Sequence, residues 1–223
     1  MSRLSKCDWL PSEISDVALQ RFVSLGTLSP KELIGWRATS GEVRPQPAEG
    51  EVVVFADHLE RGFSLRGSKF FRDALNLYKL HPQDLGPNSI SKLCQFQVFC
   101  QAYLGIEPTI PLFREFFYLN CKKEWADGPN LELGGVTIQR RHEIGFPAAT
   151  LPNHPKGWGK PWFYCKNIAP AQESPLSGLK EERLPMDFQL PGALTPEEQA
   201  AHTFVLEKLR GLNANGLIGV DLI

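Results

Sequence analysis

Little in this chain is extreme, and its absences narrow the class. No run of apolar residues approaches the ~18 that span a bilayer, so no membrane partner is expected. The opening MSRLSKCDWLPSE lacks the apolar stretch of a secretory leader, so the expected location is intracellular, with cytoplasm and nucleus undistinguished. An excess of one charge is missing too, because 24 Lys and Arg face 25 Asp and Glu, a net charge of −1. Domains that hold nucleic acid by bulk charge are usually strongly basic, which leaves only a local basic patch for such a role. Cysteine is scarce, odd in number and unevenly spaced, at Cys7, Cys94, Cys100, Cys121 and Cys165. That is no disulfide framework. Cys94 and Cys100, six apart on a helical stretch, fall about 240° apart on it and cannot share a metal. Small buried hydrophobes are the simpler reading.

Motifs are missing as well. There is no G-x-x-x-x-G-K-[ST] or strand-linked G-x-G-x-x-G to cradle phosphate, no G-x-S-x-G elbow, no H-E-x-x-H zinc pair and no D-[ST]-G. No cofactor, bound metal or small-molecule substrate is therefore expected, and no catalytic residue is assigned. The acids Asp57, Glu60, Asp73 and Glu115 would serve a metal-dependent nuclease or transposase only if they converged. Two acids at i, i+3, such as Asp57 and Glu60, occur by chance in most helices, and a solvated face is favoured. His58, His81, His142, His154 and His202 are scattered without ligand spacing and read as surface or turn residues.

What the chain does hold is 18 Pro, 19 Gly and 14 Phe among 223 residues. Its 42% hydrophobic content suits one sizeable core, cut into short elements by turns. Ser12 is placed to cap a helix over 13–25, and Ser29-Pro30 to start another over 31–36. The β-branched Val52–Val54 run reads equally as a short strand or the buried start of a helix. Over 68–80, Phe71, Ala74, Leu75 and Tyr78 recur at the spacing of one helix face. Asn88 fits as the cap of an almost wholly apolar helix over 89–104, closed by Gly105. Residues 109–121, with Pro111 in the first turn, continue the helical pattern.

After Trp125 the pattern changes. Gly134-Gly135 separates LEL from VTIQRR, predicting a hairpin, and Trp162–Cys165 reads as another strand. Prolines at 170, 175, 185, 191 and 196 mark a strap or linker. Thr195 then caps a helix to about residue 210, whose apolar face is Ala201, Phe204, Val205 and Leu209. The expected fold is mainly α with a minor β portion (α+β). Its parts are a helical core region over 1–125, a β-containing basic and aromatic region packed on it over 126–166, a Pro-rich strap over 167–195, and a C-terminal helix with a truncated end over 196–223.

One stretch carries a functional pattern. Arg140, Arg141, Lys156, Lys160 and Lys166 are interleaved with Phe146, Trp158, Trp162, Phe163 and Tyr164, against one acid, Glu143. Cations track phosphates while aromatic faces stack bases, so the mixture suits RNA or single-stranded DNA. The expected binding set is Arg140, Arg141, Lys156, Trp158, Lys160, Trp162 and Lys166. The competing reading, which the sequence favours, buries Trp162 and Tyr164 in a core and leaves the lysines as solubilising groups.

Several ordered blocks resemble a known family: CDWLPSEIS at 7–15, FVSLGTLSPKELIGWRATSGE at 22–42, EVVVFADHLERGFSLRGSKFFRDALNLYKLHPQDLGPNSI at 51–90 and CQAYLGIEPTIPLFREFFYL at 100–119. VTIQRR at 136–141, KPWFYCKN at 160–167 and GLIGVDLI at 216–223 add to them. Together they resemble the gypsy-type transposase domain of plant retrotransposon open reading frames. The resemblance implies a non-enzymatic, gag-like or element-associated protein and carries over no catalytic or metal-binding position. Related reading frames run on past the last block, so a shortened copy or isolated domain is expected. The function expected is a non-catalytic structural or interaction protein, self-associating if large aromatics are left at the surface. Nucleic-acid binding through 140–166 is the second reading, and a metal-dependent nuclease or transposase the third.

Overall fold

The Val52–Val54 run is a strand, and its partner lies more than a hundred residues away. The computed structural model describes residues 9, 11–39, 42–43, 45–65, 67–121, 133–141, 146–147, 157–167 and 194–214. Within it β1 (Glu51–Phe55) pairs antiparallel with β4 (Trp162–Lys166), setting Val53 opposite Tyr164 and Phe55 opposite Trp162. Both faces of β4 are buried, from Trp162 to Cys165, which is why these segments read as continuous apolar runs without alternation. Arg37 extends the pairing through two backbone hydrogen bonds with Tyr164, of 2.9 and 3.1 Å.

The helices wrap a phenylalanine core. The first two, α1 (Asp16–Ser24) and α2 (Lys31–Ile34), precede β1, and α3 (Ala56–Leu59) follows it directly. Ser15, not Ser12, caps α1 by accepting from the Ala18 N–H at 3.2 Å. The Ser12 hydroxyl is engaged elsewhere, donating to the Trp162 carbonyl at 2.5 Å and accepting from the Trp162 N–H at 3.2 Å. The helix expected over 68–80 is α4 (Lys69–Leu77), capped by Ser68, with Phe70, Phe71, Ala74 and Leu75 turned inward. Next, α5 (Pro87–Val98) starts two residues earlier than expected, with Gly86 rather than Asn88 as its cap. Pro87 has no N–H to leave unpaired and suits the first position. The helix widens into a π turn at Phe99–Leu104 and stops at Gly105, whose φ of 66° is the left-handed conformation glycine adopts without strain.

The larger departure from the sequence reading comes next. α6 (Ile110–Phe116) ends five residues earlier than its helical pattern, and Phe117–Cys121 forms β2. Phe117 and Leu119 turn in while Tyr118 and Asn120 turn out, a period of two. β3 (Val136–Arg140) pairs antiparallel with β2, Leu119 opposite Ile138. The expected hairpin is therefore corrected, since VTIQRR takes β2 as its partner, Leu133 lies in a turn, and 131–132 fall outside the described residues.

The free edge of β3 is closed by side chains of α5. Ser89 accepts from the Ile138 N–H at 3.0 Å, and the Lys92 ammonium donates to the Ile138 carbonyl at 2.5 Å. These residues, three apart, share one helix face. Together they satisfy the peptide groups that an unpaired edge would leave open.

Finally α7 (Pro196–Ala214) lies against α6, with Val205 and Leu209 buried and the His202 ring 5.7 Å from that of Phe116. Thr195 caps this helix as expected, and Glu198 makes the cap reciprocal: each accepts from the other's backbone N–H, at 3.2 and 2.8 Å. Phe204, expected on the apolar face, stays 36% exposed with Lys208 above its ring. The result is the mainly helical α+β fold expected. Of the strap expected over 167–195, residues 168–193 lie outside the described residues, as does the end after 214. Among the described residues, no helix is long and apolar enough to cross a membrane.

Candidate nucleic-acid interface

The basic and aromatic stretch does not form one surface, because its residues divide between the two ribbons. On β1–β4, Trp162 is completely buried and packs edge-on against Trp9 and Tyr164, at 5.5 and 5.6 Å. A side chain without exposed surface cannot stack a base, so Trp162 is corrected from binding residue to core residue. Tyr164 is buried with it, while Phe146 and Phe163 are buried in the main core. Trp158 lies nearly parallel to the His58 ring and edge-on to Phe55. Lys160 forms an ion pair with Glu13 at 2.6 Å. Lys166 is exposed, its aliphatic stem against Gly35. Lys156 lies outside the described residues.

Polar groups around β4 are committed to one another. The Arg37 guanidinium lies 3.9 Å from the Tyr164 ring and grips Glu51 through two hydrogen bonds, of 2.9 and 2.7 Å. That grip lowers the Glu51 pKa and raises that of Arg37. The Tyr164 hydroxyl donates to Glu42 and accepts from the Gln46 N–H at 2.7 Å. Burial, and then the Glu42 bond, push its pKa up to about 12.

The other ribbon is more open. Arg140 turns inward and donates to the Phe146 carbonyl at 2.5 Å. Arg141 is exposed, donates from Nε to the Arg114 carbonyl at 2.9 Å and lies 5.5 Å over the Tyr118 ring. Tyr118, 36% exposed, donates to Oε1 of Gln139 directly across the ribbon at 2.5 Å. Behind them, burial and then the charge of Arg140 lower the Lys92 pKa. Tyr118, Arg114 and Lys92 belong to this cationic corner and were missed in the sequence. The signal available was the alternation over 117–120.

Other titratable groups serve the fold. His58, expected at a surface or turn, is buried against Phe55, Phe63 and Trp158, and burial lowers its pKa to about 3. Burial pushes the thiols of Cys94, Cys100 and Cys165 up to about 12, which keeps them protonated and unreactive. Asp57 is pushed up by burial and then by the Glu60 charge, with Arg61 opposing. Asp73 pairs with Lys69 at 2.6 Å. Among the described residues, no three His, Cys, Asp or Glu side chains converge closely enough to hold a metal ion. The nuclease reading therefore finds no metal-binding cluster among them.

This geometry defines a helical α+β domain that holds two short antiparallel ribbons around an aromatic core. Residues 52–121, from β1 to β2, match the family described as "Putative gypsy type transposon", which supports a gypsy-type transposase-like domain over that segment. The matched segment is 70 of 223 residues and includes α4, α5 and α6. The match supports the gypsy-type assignment and carries no plant source. No curated protein and no solved structure matches the chain.

Proposed function

We propose that the chain acts by contact, as a non-catalytic, gag-like structural or interaction protein that associates with a second copy of itself. The observation carrying this is the corner between α1 and α2. Leu25 and Leu33 are 63% and 70% exposed there, among the most exposed large apolar side chains described. Leu33 borders a groove of about 590 Å³ where Ile34, Phe63 and Leu65 meet Thr27, Ser29 and Ser64. Exposed aliphatics beside a groove of mixed polarity suit a self-complementary interface. The abundance of phenylalanine, by contrast, does not supply such a patch. The described phenylalanines are buried or half-buried apart from Phe204.

Sedimentation equilibrium over a concentration series tests this. The mass should climb from 25.0 kDa toward twice that value. Leu33→Glu, at an exposed site, should hold it at the monomer. A parent chain that stays monomeric at the highest concentration would overturn the proposal.

A further inference from the structure

The structure points to a second surface, independent of self-association: we propose that the outer face of the β2–β3 ribbon binds single-stranded nucleic acid, with Tyr118 stacking a base and Arg141 contacting phosphate. Strand alternation and register place Tyr118, Asn120, Thr137, Gln139 and Arg141 on one face, while Phe117, Leu119, Val136 and Ile138 face the core. None of those five outward positions is a carboxylate. They supply one aromatic ring, one guanidinium and three side chains that hydrogen-bond. A base needs a π-face and edge partners, and a phosphate needs a cation.

Tyr118 is held ready rather than loose. Its hydroxyl is tied to Gln139 and Arg141 lies over its ring, so little side-chain freedom remains to be lost on binding. Charge complementarity selects the occupant. Arg114 and Arg141 both lie close enough to Tyr78 to lower its pKa, against the stronger upward push of burial. Lys92 and Arg140 add positive charge on the inward side. Of the arginine pair named by the sequence pattern the surface keeps Arg141, Arg140 being turned inward, and Tyr118 takes the place of the buried Trp162.

The test is fluorescence anisotropy with a labelled oligouridine of about twelve nucleotides, beside the same sequence as DNA and a duplex of equal length. The expected result is binding of the single strands at low ionic strength. Log affinity should fall with log salt at a slope of about −1.4 if Arg141 and Arg114 each meet a phosphate. Arg141→Gln should reduce that slope by about 0.7. Tyr118→Ala should weaken binding about fivefold or more, whereas Tyr118→Phe, which keeps the ring, should stay within about twofold of the parent. Lys160→Gln, on the other ribbon, should change nothing. No binding at low salt, duplex bound as tightly as single strand, or a folded Tyr118→Ala that binds like the parent would each overturn the proposal. Arg141→Gln alters an exposed side chain, so an unchanged slope there overturns it even if Tyr118→Ala fails to fold.

Discussion

The Trp158 indole lies 5.4 Å from the His58 imidazole with 22° between their planes. Phe55 and Phe63 complete the enclosure, and the buried ring donates from Nε2 to the Leu85 carbonyl at 3.1 Å. Desolvation outweighs that hydrogen bond and lowers the His58 pKa from 6.5 to about 3. With the folded pKa below the unfolded one, the unfolded chain binds the proton first as pH falls. The neutral imidazole's contribution is thus complete above pH 6.5 and is lost toward pH 3. Denaturant titrations at pH 7.5 and 5.0 should show a loss of about 2 kcal/mol from this group. His58→Gln, which cannot titrate, should lose that much less across the interval whatever its starting stability. Equal losses in both proteins would refute the assignment.

The same indole restricts a glycine. Gly134 has a φ of +66°, and a Cβ there would sit 2.7 Å from Cζ2 of Trp158. Gly35 is the control: its φ is +54°, and its added Cβ would meet only the flexible aliphatic stem of Lys166, from 2.9 Å. Both substitutions to alanine place a Cβ on a left-handed backbone, costing about 1–2 kcal/mol. Only Gly134→Ala must also displace a packed ring, for a total of about 2–4 kcal/mol. Gly134→Ala should also shift the tryptophan emission, and Gly35→Ala should not. Equal destabilisation would mean that the Trp158 contact carries no weight.

Local signals were legible in the sequence, and pairings between distant segments were not. The Thr195 cap and the Gly105 stop depend on neighbours within one turn, and both are found as read. Ser12 was misread because its partner, the Trp162 backbone, is 150 residues away. The stretch 109–121 satisfies a period of 3.6 as far as Phe116 and a period of 2 beyond it. Only β3 decides between them, and it begins at Val136. The candidate site failed in the same way. Interleaved cations and aromatics looked like one patch, but pairing with β1 draws Trp162 inward while pairing with β2 leaves Arg141 outside.

Phe96 shows how far the matched segment depends on clustered phenylalanines, one of them from beyond it. It is completely buried, with the rings of Phe70, Phe113, Phe116, Phe117 and Phe146 centred 5.3 to 6.3 Å away. Those neighbours come from α4, α6, β2 and the chain after β3, so removing one ring opens a void that no single element can fill. Phe96→Ala should cost about 3–5 kcal/mol in urea unfolding. Phe204→Ala, at a 36% exposed ring on α7, should cost less than about 1 kcal/mol. If Phe96→Ala does not fold, Phe96→Leu should retain the fold with a loss of about 1.5 kcal/mol. A Phe96 variant no less stable than Phe204→Ala would show that the core tolerates the void by collapsing onto it, and that the ring cluster is not what joins β2 to the helices.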